Sequence, residues 1–219
     1  MAENNRSAKA ETLSFVQLMD KGLCITIPMI QRDYAQGRAN ARTTEIRENF
    51  VRDLHNAILT KDDRRLSLEF VYGSCKDGAF IPLDGQQRLT TLFLLHTYID
   101  GLCPGPQQRS FKLVYQTRDS SQRFCQQLVS HRADIFNRHA LSVFIDDEPA
   151  KPSKVIKNQP WWFSIWHDDP TVSGMLTMLD EIHKQFFEDL KDTEVAQRVC
   201  NNLYSDSKII FQFLYLAKH

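Results

Sequence analysis

Hydrophobic positions recur along the 219-residue chain at two different spacings, and the switches between them mark its elements. Over residues 12–21, Leu13, Val16 (or Phe15) and Met19 fall at helical spacing, and Gly22 follows as a stop. Residues 23–27 read as a short strand ended by Pro28, and a polar loop over 29–42 leads to a helix over 43–59. In that helix Ile46, Phe50, Leu54 and Ile58 step by four and predict one buried stripe. Strands are predicted at 68–72 and 80–83, joined by a turn around Lys76, Asp77 and Gly78. Asp84-Gly85 closes the second strand. A strongly apolar helix then runs from Gln86 to about Tyr98, until Gly101 and Pro104 end it. Residues 111–115 read as a further strand, 120–128 and much of 160–204 as helices, and 146–160 as an irregular, acidic, proline-bearing stretch. Residues 1–10 are polar and expected to fray.

This order of elements predicts a mixed α/β (α+β) fold. The composition shift near 133–160 suggests a core over 1–132 and a mainly helical part over 133–219, packed on the core or appended to it. With 42% hydrophobic and 25% charged side chains, the chain is not disordered, collagenous or coiled-coil. Net charge is zero, yet residues 1–132 carry 18 basic and 14 acidic groups against 9 and 13 in the rest, and 13 of the 15 arginines precede residue 133. Arginine's planar fork suits phosphate, so an anionic ligand is expected on the first half. Five cysteines with no C-x-x-C pair offer neither a zinc nor a disulfide framework. The first residues lack a secretory apolar core and no long apolar run follows, so a cytoplasmic protein without a membrane partner is expected.

The segment of greatest chemical interest is residues 80–92, FIPLDGQQRLTTL. A strand delivers an acid, then a glycine, then a helix whose first turn is Gln86-Gln87-Arg88. Backbone N–H groups at a helix start attract anions, and the helix dipole adds to the effect. Gly85 lets a ligand approach the backbone, Arg88 lends a cationic fork, and Asp84 is placed to hold a metal ion or orient a water. A plain strand-turn-helix junction with a solvated first turn would share this spacing.

Two further clusters lie at strand ends. In residues 27–38, Arg32 and Arg38 flank Tyr34, whose ring could stack on a base. In residues 115–121, Asp119 or Ser120 reads as a helix cap, and Arg118 is within reach of a phosphate. His167 stands beside Asp168 and Asp169, but adjacent residues point apart, and Asp169 before Pro170 reads as a cap. His183 has no metal-ligand partner at i+4, and the usual nucleophile, zinc and P-loop motifs are missing from the sequence.

DGQQRLTTL closely resembles the signature of the N-terminal domain of GmrSD-type restriction endonucleases, a ParB/sulfiredoxin-like nucleotidase family. IPMIQRDYAQGR, FVYGS and YQTRDSSQRFC agree, covering about residues 23–130, and WHDDPTVSGMLTMLDEIH is similar to one branch of the family. The resemblance implies a ParB-like core that binds a nucleoside triphosphate (GTP, ATP or CTP), with Mg²⁺ at Asp84. It implies catalytic roles for Asp84, Gln87 and Arg88, and cofactor contacts from Gln31, Arg32, Gly85, Gln86, Arg88 and Thr91, which Arg118 would join. It also implies action on modified phage DNA through a separate or C-terminal nuclease domain. No nuclease motif is recognisable in residues 133–219, so the chain is expected to be either a fragment or a shortened member. Two rivals remain open: a non-catalytic DNA-binding or scaffold module using the same arginines, and a metal-dependent nuclease using Asp84 directly.

Overall fold

A computed structural model of the chain describes residues 8–28, 33–38, 40–103, 111–116, 118–145 and 148–217. In chain order the elements are β1 (Ala8–Leu13), α1 (Phe15–Asp20), β2 (Cys24–Ile27), α2 (Ala41–Leu59), β3 (Leu66–Lys76), β4 (Ala79–Asp84), α3 (Gln86–Leu102) and β5 (Leu113–Tyr115). Then follow α4 (Asp119–Ser130), α5 (Arg132–Ile135), β6 (Phe144–Ile145), β7 (Glu148–Pro149), α6 (Pro152–Lys157), α7 (Pro170–Phe186), α8 (Thr193–Cys200) and β8 (Ile209–Ala217). The fold is mixed α/β, as its element pattern predicts.

Six strands form one sheet in the order β1-β8-β3-β4-β2-β5, and β6 and β7 form a separate hairpin. The pairs β8/β3, β4/β2 and β2/β5 are parallel, whereas β1/β8 and β3/β4 are antiparallel. The carboxyl ends of β2, β4 and β5 therefore share one edge, together with the first residues of β3. In parallel α/β sheets that edge is where ligands bind.

The sheet corrects the two-part reading of the chain. β8, near the end of the 133–219 segment, lies between β1 and β3, and residues from Leu13 to Phe213 join a single hydrophobic core. The sheet thus does not divide near 133–160. The start of the chain also differs from its local pattern. Thr12 and Leu13 belong to β1, as do residues 8–10, which were expected to fray. The first helix begins only at Phe15. There Ser14 Oγ accepts from the Gln17 N–H at 3.3 Å while Gln17 Oε1 accepts from the Ser14 N–H at 2.8 Å, a reciprocal cap that marks a helix start.

In α2 the buried stripe is Arg47, Val51, Leu54 and Ile58, so Ile46 is 49% exposed and Phe50 only partly covered. The reason is geometric. Positions stepping by four advance about 40° per step, so Ile46 lies about 120° round the helix from Ile58. The set 47, 51, 54 and 58 keeps within a band of about 60°.

Helix α3 is buried on every side: Leu89, Leu92, Leu94, Leu95, Tyr98 and Ile99 are all fully enclosed. It runs beyond Tyr98 to Leu102, and Gly101 does not stop it but packs against the Arg132 carbonyl and Phe136. The Tyr98 hydroxyl meets His183 Nδ1 of α7 at 2.9 Å. Burial, with the Lys191 charge adding to it and Glu188 opposing, pushes the His183 imidazole down to about 4 from the usual 6.5. The unfolded chain then binds more protons than the folded one between those values, so stability is lost as pH falls from about 6.5 towards 4. Urea midpoints measured at pH 7 and pH 5 should differ more for the parent protein than for His183→Gln, whose neutral amide still accepts from Tyr98. Equal differences would remove His183 from the acid response.

Candidate functional site

The turn from β4 into α3 is made by Gly85 alone, with φ +87°. A side chain there would meet strain from this left-handed backbone, and its Cβ would lie 2.8 Å from Val71 Cγ2 and 3.1 Å from Val71 Cα. Glycine thus serves both the conformation and the close approach of β3. It also brings no side-chain cap to the start of α3, which keeps the positive end of a 17-residue helix open to the pocket beside it.

Asp84, half-exposed, and Arg88, one helical turn later, face each other across this start. The Arg88 guanidinium donates to Asp84 Oδ2 at 2.9 Å and to the Leu68 carbonyl at 2.5 Å, and it lies 3.8 Å from Glu69 Oε2. Glu69 reaches it from an irregular stretch of β3, where the register against β8 shifts between Ser67 and Phe70 and Glu69 itself takes φ +60°. A non-glycine residue held in this sparsely populated region is commonest at functional sites.

The pocket in front of this ion pair has a volume of about 640 Å³, within the range that holds small ligands. Its floor is residues 84–88. Its walls are Ile46, Phe50 and Asp53 from α2, Leu66, Leu68 and Glu69 from β3, and Ala35 and Gln36 from the single 3₁₀ turn after β2.

The residues singled out in the sequence divide into three groups. Asp84, Gly85, Gln86, Gln87 and Arg88 all line the pocket. Gln87, however, has its amide committed to the turn after β2: Oε1 accepts from the N–H groups of Ala35 (2.9 Å) and Gln36 (3.3 Å), and Nε2 donates to the Asp33 carbonyl at 3.2 Å. Gln87 clamps that turn onto α3. Thr91 is fully buried behind it, its hydroxyl 2.7 Å from Gln36 Oε1 and 2.7 Å from the Tyr34 hydroxyl. Arg118 is the N-cap residue of α4, a place the sequence pattern assigns to Asp119 or Ser120; it stands 3.3 Å from Asp169 Oδ1 and 3.7 Å from Asp33 Oδ1, and it is not a lining residue of the pocket. Gln31 and Arg32 lie outside the described residues.

Tyr34 corrects an expectation. It is 1% exposed, burial pushes its phenol up, and its ring has no free face for a base to stack on. Asp169 behaves as the cap foreseen, accepting from the Thr171 N–H at 2.8 Å, while Ser120 and Ser121 donate to it from α4. Burial raises its carboxyl pKa, but these hydrogen bonds together outweigh burial and hold it below the usual value. Sequence reasoning missed Arg47, whose buried guanidinium donates to the carbonyls of Gln36 (3.1 Å) and Arg38 (3.2 Å) and so fixes the 3₁₀ turn to α2. An arginine on the apolar stripe of α2 was the available signal. It missed as well that Ile46 and Phe50 line the pocket, Phe50 while also packing against the edge of the core.

Among the described residues no cluster of three or more His, Cys, Asp or Glu side chains could hold a metal ion. A magnesium ion needs less from protein, one or two carboxylates with substrate phosphates and water completing the shell. The half-exposed Asp84 meets that smaller requirement. Among the described residues no helix is long and apolar enough to cross a membrane.

A pocket at the carboxyl edge of a mixed sheet thus brings together an acid, a glycine and an arginine at the start of a helix in an α/β domain. The family model for the GmrSD restriction endonuclease, N-terminal domain, matches residues 13–214, and the chain belongs to that family. No curated protein matches the chain.

Proposed function

We propose that this domain binds and hydrolyses a nucleoside triphosphate, with the polyphosphate at the start of α3. The observation that carries the reading is the Arg88 fork, four-fifths buried and held at the helix start beside the Asp84 carboxylate. Backbone N–H groups and a guanidinium together suit the three charged oxygens of a terminal phosphate. On this reading Arg88 exchanges its carboxylate partners for phosphate oxygens, and Asp84 becomes free to act on the attacking water. Both amide atoms of Gln87 bond the backbone of residues 33–36, so its contribution is to hold the Ala35–Gly37 turn as a wall. A magnesium ion held by Asp84 would supply charge neutralisation on the phosphates. Membership of a restriction-endonuclease family supports placing this step upstream of attack on modified DNA, with cleavage by a nuclease domain elsewhere.

The rival reading, arginines laid on DNA phosphates, has less support, because Arg47, Arg88 and Arg118 each bond carbonyl or carboxylate oxygens within the protein. Phosphate release from each of the four common triphosphates, with and without magnesium, tests the proposal directly. Arg88→Ala should weaken triphosphate binding by about 1.5–3 kcal/mol, the size of a charge-assisted hydrogen bond, as read by calorimetry. Its stability should fall by only about 1 kcal/mol for the lost bond to the Leu68 carbonyl. Unchanged nucleotide affinity in the folded variant would sink the phosphate assignment. Retention on DNA that falls steeply with salt and ignores nucleotide would favour the rival.

A further inference from the structure

Two apolar side chains of α2 lie off its buried stripe: Ile46 takes no part in the core, and Phe50 packs only against its edge. Ile46 is 49% exposed and Phe50 is only partly covered, although both sit on a helix with a complete buried stripe of its own. They are one turn apart, and Asp53 continues the same face three residues on. All three line the pocket whose floor is the Asp84–Arg88 turn, and Leu83 of β4, 54% exposed, lines it as well. Leaving large apolar side chains in a pocket open to water is unfavourable unless something covers them.

The pocket is therefore two-sided in its chemistry. The α3 start supplies a cationic fork and a helix dipole, and α2 supplies an aromatic ring and a branched aliphatic side chain. We infer that the Ile46–Phe50 face of α2 is the subsite for the base of the bound nucleotide, so that the ligand spans from α2 to Arg88. The inference rests on the proposed triphosphate site and adds to it which residues discriminate a nucleotide from a bare polyphosphate. A planar base covers apolar surface at this wall without needing a hydrogen bond from it, whereas inorganic tripolyphosphate gains nothing there.

The two halves separate in a binding experiment with inorganic tripolyphosphate and with non-hydrolysable β,γ-imido nucleoside triphosphates. The parent protein should bind its preferred nucleotide more tightly than tripolyphosphate. Phe50→Ala should weaken the nucleotide by about tenfold or more, in line with the loss of base–aromatic stacking, and leave tripolyphosphate within about twofold. Ile46→Ser, at an exposed position that does not threaten folding, should act in the same direction by a smaller factor. Phe50→Tyr should restore most of the nucleotide affinity. Arg88→Ala should weaken both ligands. If Phe50→Ala and Ile46→Ser leave the nucleotide untouched, or weaken both ligands equally, the base subsite is wrong while the phosphate site stands. If the parent protein binds tripolyphosphate but nucleotides no better, the base subsite is likewise wrong. If neither ligand binds, the triphosphate reading itself fails, and the subsite with it.

Discussion

Asp84→Asn is expected to slow triphosphate hydrolysis at least about a hundredfold, roughly 2.7 kcal/mol of barrier. The carboxylate ends β4 one residue before the helix start and is half-exposed, so it can reach both a phosphate-bound ion and a water. Either role acts mainly as charge moves onto the phosphate oxygens in the transition state. Asparagine keeps the shape and an oxygen for Arg88, and the bond from Arg88 to the Leu68 carbonyl remains to hold the guanidinium in place. Metal-free nucleotide binding should hold or improve slightly, because a negative group beside the phosphates has gone. A second view makes Asp84 only a partner that orders Arg88, a task asparagine would still perform in part. Steady-state phosphate release decides between them. Near-normal turnover by Asp84→Asn would reduce Asp84 to that ordering role and leave the domain as a binding module.

How much of this was legible in the sequence depends on the range of the interactions involved. The β4–Gly85–α3 junction was readable because its causes are local: an acid, a glycine and a first polar turn before an apolar helix. The central place of β8 was not. Its partners β1 and β3 are remote, Thr12 meeting Gln212 across 200 residues, and no local pattern carries that pairing. The run Ile209–Ala217 does have the aromatic and β-branched character of a strand, so its type was available even though its neighbours were not. Roles within the site followed the same division. That residues 84–88 cluster was evident, but that Gln87 reaches the backbone of residues 33–36 is a tertiary fact. Tyr34 was misjudged for the same reason, since its burial comes from Thr91 and from α7, 57 and 137 residues away.

The wall that Gln87 clamps depends on one steric coincidence, and Gly37→Ala is expected to break it. Gly37 ends the 3₁₀ turn Ala35–Gly37, and a Cβ on it would lie 2.1 Å from both the Cα and the carbonyl oxygen of Gly174 in α7. Both sides of that contact are backbone, so no rotamer change relieves it. The turn must lift away from α7. Lifting it pulls the Ala35 and Gln36 N–H groups from Gln87, the Gln36 side chain from Thr91, and the Gln36 and Arg38 carbonyls from Arg47. Overpacking of this kind, with buried hydrogen bonds lost alongside, should cost about 2–4 kcal/mol in urea unfolding. Gly22→Ala provides the contrast. Gly22 has φ +73° and nothing within 4 Å of its would-be Cβ, so only backbone strain applies there, about 1 kcal/mol. Nucleotide affinity should fall in Gly37→Ala and not in Gly22→Ala, because only the first moves Ala35 and Gln36 from the pocket. If the two alanine variants lose the same stability and both keep nucleotide affinity, the turn is not locked to α7, and the pocket wall does not depend on the contact between Gly37 and Gly174.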